Sequence, residues 1–70
     1  MKFADKLSQL TADDNKARLS RAAGLPPNAI NDYINKGHRP GIDNALALAK
    51  VLRVPLEWLV DDAAEWPPPD

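Results

Sequence analysis

Seventy residues with no cysteine and a single histidine, His38, allow one small domain and exclude a disulfide framework or a cysteine-based zinc site. The formal charge of −1 averages two unlike segments. From Lys16 to Pro40 five bases (Lys16, Arg18, Arg21, Lys36, Arg39) face one acid, Asp32, whereas Asp61 to Asp70 holds four acids and no base. No apolar run approaches the ~20 residues of a membrane helix, and no charged n-region precedes an apolar stretch, so a cytoplasmic location is the expectation.

The apolar spacing is helical along the chain, with neither strand-like alternation nor an internal repeat. Phe3, Leu7 and Leu10 recur at i, i+4 and i+7, which predicts a short amphipathic first helix. Thr11 to Asn15 is polar and rich in capping residues; Asn15 is the expected N-cap of the next helix, with Asp14 as competitor. That second helix is predicted over Lys16 to Ala23, with Ala17 or Leu19 joined by Ala22 and Ala23 on its inner face. Gly24 stops it, because glycine enters the left-handed region without a Cβ penalty. Pro27 suits a first helical position, so a third helix is predicted from Pro27 to about Asn35 or Lys36, burying Ile30, Tyr33 and Ile34 and ending at Gly37. After the loop His38-Arg39-Pro40-Gly41, the series Ile42, Ala45, Leu46, Ala49 and Leu52 predicts a fourth helix to about Arg53. Asp43 and the pair Lys50 and Arg53 complement its dipole. Pro55 opens a short fifth helix with Leu56, Leu59 and Val60 on one side. The division expected is a folded domain over 1–61 and an acidic, proline-rich tail or linker over 62–70, the start of a connection to a C-terminal domain outside this chain.

The segment from Lys16 to Asn35 carries the functional information. Two short helices joined by a tight glycine turn need a small residue at their closest approach, here Ser20, and apolar locks, here Leu19, Leu25, Ile30 and Tyr33. The third helix then turns Asn28, Ala29, Asn31, Asp32 and Asn35 outward. Asparagine is a poor helix former, so three of them on one short helix need a reason. An asparagine amide can bridge N6 and N7 of adenine in the major groove, a small Ala29 permits close approach or contacts a thymine methyl, and Asp32 can accept from cytosine N4 or orient a neighbouring side chain. The competing reading is a plain solvated face.

This stretch resembles the helix-turn-helix of the phage lambda repressor and Cro-like proteins, the Xre family. Arg39 to Leu59 is similar to that family's fourth and fifth helices, so the likeness covers about residues 3–60. It implies an all-α, compact five-helix fold and sequence-specific binding of an operator in double-stranded DNA, often as a dimer. Carried over by position, Asn28, Ala29, Asn31 and Asp32 would read bases, and Lys16, Pro27, Asn35, Lys36, His38 and Arg39 would contact phosphate. The chain departs from the pattern at four places: Ser20 stands where alanine is usual, Pro26 where a Ser or Thr cap is usual, and Arg53 where a helix ends on glycine, while the loop before Gly37 is one residue longer than the commonest pattern.

Leu56, Trp58, Val60 and Trp66 read as an apolar patch, with Trp58 packed in part on the fourth helix, and a homodimer through Leu56, Trp58 and Val60 is the expected use of that patch. No nucleophile–base pair, cofactor motif or metal-ligand set is present in the sequence, so neither a catalytic residue, nor a cofactor, nor a metal is expected. The reading is a transcriptional regulator, a repressor by family habit. The rival is an antitoxin-like or other protein-interaction module on the same scaffold, which the low net charge and acidic tail favour.

Overall fold

The computed structural model describes residues 1–69; Asp70, the last acid of the expected tail, lies outside the described residues. Five helices follow in order, α1 (Phe3–Leu10), α2 (Lys16–Ala22), α3 (Ala29–Lys36), α4 (Ile42–Leu52) and α5 (Leu56–Val60), and there is no strand among the described residues. Helix α1 packs on α3 and α5, α2 on α3 and α4, and α4 on α5. Phe3, Leu7, Leu19, Ile30, Leu48, Ala49, Trp58 and Leu59 meet in one buried cluster, so every helix contributes to a single core.

Local chemistry sets the helix ends. Asn15 caps α2, its side-chain oxygen accepting the Arg18 N–H at 3.1 Å. At the other end the helix stops at Ala22, one residue before the predicted boundary, with Ala23 as the cap and Gly24 following at φ 76°. Gly24 N–H donates to the Arg21 carbonyl and Leu25 N–H to that of Ser20, both at 2.9 Å, which closes the helix in a Schellman turn. Helix α4 ends in the same way around Arg53, a non-glycine residue at φ 59°; Arg53 N–H reaches Lys50 O and Val54 N–H reaches Ala49 O. A side chain in this left-handed position is strained relative to glycine.

Helix α3 starts two residues later than the prolines suggest. Pro27 and Asn28 form a turn in which Ala29 N–H donates to Pro26 O at 3.0 Å, and the helix begins at Ala29 with Asn28 as its cap residue. The Asn28 side chain makes no capping bond. Ser20 supplies one from α2 instead. Its hydroxyl donates to Lys16 O at 2.8 Å and accepts the buried Ile30 N–H at 3.2 Å. Two departures from the family pattern are therefore one arrangement: the serine in place of alanine satisfies the helix end that Pro26 leaves uncapped. Ser20→Ala is expected to cost about 1–3 kcal/mol, because it strands a buried donor; equality of the two proteins in urea unfolding would contradict this.

Two apolar stripes differ from expectation. On α2, Leu19 is buried and Ala17 and Ala23 are half-buried, but Ala22 is exposed. On α4 the buried residues are Ala45, Leu48 and Ala49, while Ile42 and Leu46 stay 66% and 39% exposed. The core-facing stripe is rotated toward Leu48, and the edge that carries Ile42 and Leu46 is left partly open.

The C-terminal segment lies partly on the body. Trp58 is buried, and its indole N–H donates to Glu65 O at 2.9 Å. The Trp66 ring meets Trp58 edge-on at a centroid distance of 5.9 Å. The N-terminal ammonium donates to the carbonyls of Asp62 and Ala64 and to the Glu65 carboxylate. On α1 the side chain of Lys6 is fully buried. Its ammonium donates to Trp58 O at 2.6 Å and Asp61 O at 2.5 Å, and lies 4.8 Å from the centre of the Trp58 ring. These are carbonyls at the C-terminal end of α5, where the helix dipole favours a cation.

Candidate nucleic-acid interface

Helices α2 and α3 are held as one unit by the Gly24 turn, by Ser20 and by Ile30, which has no exposed surface. From the other side the Phe3 ring meets Tyr33 edge-on at 6.0 Å, tying α3 to α1. Tyr33 is thereby engaged in packing, and Ile34 beside it is half-buried against the core. The opposite face of α3 is left for solvent. Asn28, Asn31, Asn35 and Lys36 are exposed, with Ala29 and Asp32 half-buried beside them. Asn31 and Asn35 are one turn apart, as are Asn28 and Asp32, so the polar residues form two adjacent stripes.

The acid on this face is partly neutralised within the helix, Lys36 Nζ lying 3.5 Å from the Asp32 carboxylate. On the flank toward α4, Asn28, Asp32, Lys36, His38 and Asn44 line a groove of about 270 Å³. Asn44, in the first turn of α4, was not singled out by sequence reasoning, since nothing in its spacing links it to a helix that begins fifteen residues earlier. Lys16 is half-buried at the start of α2, and Pro27 is exposed in the turn before α3.

Arg39 sits differently from a free phosphate contact. Its guanidinium donates to the Asp62 carboxylate at 2.7 Å and to Val60 O at 2.8 Å, and lies 5.8 Å from the Phe3 ring centre. Arg18 likewise bridges to Asp14 at 2.7 Å, as befits a surface base outside the recognition face. The hydrogen bond from Arg39 holds the Asp62 carboxyl below its ordinary range, that from Arg18 does the same for Asp14, and that from the terminal ammonium does the same for Glu65. Depressed carboxyl pKa values favour the folded state above the ordinary carboxylate range. Their contribution fades as pH falls through the lowered values.

The residues expected to join two copies are not gathered on a surface. Trp58 is 7% exposed and belongs to the core, and Leu56 and Val60 are half-buried. The large apolar side chains that do reach solvent are Ile42, Leu46 and Trp66. No group of three or more acids, histidines or cysteines is placed to hold a metal among the described residues, and no helix there is long and apolar enough to cross a membrane.

Two helices locked across a glycine turn, the second with a polar outer face and three supporting helices behind, define a helix-turn-helix domain of the DNA-binding type. The helix-turn-helix family model matches residues 6–59, and the chain belongs to that lambda repressor-like, Xre-type family of DNA-binding regulators. No curated protein and no solved structure matches the chain.

Proposed function

We propose that this protein is a sequence-specific transcriptional regulator, a repressor that lays α3 in the major groove of a pseudo-palindromic operator. The observation that carries this reading is the outer face of α3. Asn31 and Asn35 are poor helix formers, and with the cap residue Asn28 they show no side-chain hydrogen bond among the described residues, yet the helix beneath them is fixed by Ser20, Ile30 and Tyr33. A rigid helix with amide groups free to bond is what base-edge readout requires. Lys16, Pro27, Asn35, Lys36, His38 and Arg39 are proposed to follow the phosphate backbone around it, and Asn28, Ala29, Asn31 and Asp32 to face the bases. A homodimer would place two α3 helices about one helical turn, ~34 Å, apart. The exposed Ile42 and Leu46 are the apolar surface that such a dimer would cover, in place of the buried Trp58.

Asn31→Ala is expected to relax base preference at one operator position and cost about 1–3 kcal/mol there, with binding to scrambled duplex unchanged. Lys16→Ala is expected to weaken all duplexes alike and lower the salt slope by about one. Identical behaviour of the two variants in titrations against operator and scrambled DNA would remove the assignment of roles. The exposed Ile42 and Leu46 also suit a protein-interaction module, the rival function. That reading predicts little salt dependence and no preference among duplexes.

A further inference from the structure

A second groove, of about 300 Å³, opens between the start of α1 and the loop after α3. Lys2, His38 and Arg39 line it, together with one carboxylate, that of Asp62. The carboxylate takes one arm of the Arg39 guanidinium at 2.7 Å, and the Val60 carbonyl takes another at 2.8 Å. Arginine recognises carboxylate and phosphate oxygens with the same planar donor geometry, so the guanidinium that Asp62 engages is equally suited to a phosphate oxygen. Both side chains are about half exposed, 47% for Arg39 and 55% for Asp62, and an exposed pair of this kind is weak enough to exchange partners.

We propose that Asp62 is an internal stand-in for a DNA backbone phosphate, holding Arg39 in the free protein and giving it up to phosphate when a duplex binds. The inference rests on the DNA-binding reading above and adds a restraint to it. Every duplex must displace the chain's own acid, which lowers affinity for all sequences and leaves discrimination to α3. It also assigns a role to part of the acidic C-terminal segment, which the operator-binding reading leaves without one. Lys2, 37 positions before Arg39 in the chain, becomes a further phosphate contact on the same groove.

The test is a titration of the full chain with a mixed-sequence duplex at two salt concentrations, using the wild type, Asp62→Asn, Arg39→Ala and the double variant. Asp62→Asn is expected to bind roughly two- to fivefold more tightly, with a salt slope steeper by up to about one. In the Arg39→Ala background the same substitution is expected to give no such gain. Unchanged or weaker binding by Asp62→Asn overturns the proposal, since the acid would then be inert or would position Arg39 for DNA. An equal gain with and without Arg39 overturns it too, because the effect would be one of general charge. If none of the four proteins binds duplex at low salt, the DNA-binding reading falls and takes this proposal with it. Binding by the wild type that Asp62→Asn leaves unaltered removes the proposal alone.

Discussion

Ile30→Ala is expected to destabilise the domain by about 2–5 kcal/mol, since it empties a site with no exposed surface at the centre of the single core. The side chain lies on the first turn of α3 and shares the buried cluster with Leu19 of α2 and Phe3 and Leu7 of α1. A cavity there loosens the recognition helix as well as the core. A domain of this size has a total stability of about 4–10 kcal/mol, so the loss is a large fraction of the whole. Urea denaturation followed by circular dichroism measures the loss. A shift below about 1 kcal/mol would mean that the core repacks without Ile30, and that α3 is positioned by other contacts.

The second large effect is expected at Lys6. Lys6→Met keeps most of the buried stem and removes the ammonium, leaving the Trp58 and Asp61 carbonyls without their donor and the Trp58 ring without its cation. Hydrogen bonds from a charged donor contribute about 1.5–3 kcal/mol each, and an acceptor stranded in the interior carries its desolvation penalty. A loss of about 2–4 kcal/mol follows, less than the sum because the Asp61 carbonyl is only part-buried and water can reach it. The shift should appear as a lower urea midpoint, which circular dichroism can follow. A Lys6→Met protein as stable as the wild type would show that the apolar stem alone matters and that the α5 end needs no cation.

Much of this architecture is legible in the chain. Periodicity places all five helices; Asn15 announces the start of α2, Gly24 and Gly37 the left-handed ends of α2 and α3, and Phe3, Leu7, Leu19, Ile30 and Leu59 the core. Periodicity describes one face of one element and is silent about how far a neighbour covers it. Ile42 and Leu46 therefore read as core although they stay exposed, and Trp58 reads as only partly packed on α4 and free to join a second copy, although it is buried beside Lys6 of α1 and Trp66. Lys6 falls on the same stripe as Phe3 and Leu7, but no periodicity marks it as buried, because its partner, the Trp58 carbonyl, lies 52 residues away. The polar face of α3 follows from counting outward from Ile30, Tyr33 and Ile34. The state of Arg39 does not, because its partner Asp62 is 23 residues away and leaves no periodic trace.

Whether α3 reads base sequence is decided by selecting random duplex DNA on the purified chain. Base readout in the major groove enriches a motif with inverted half-sites whose binding exceeds that of scrambled DNA and weakens steeply with salt. Recovery of no preferred sequence, with equal binding to every duplex or none at low salt, would contradict it.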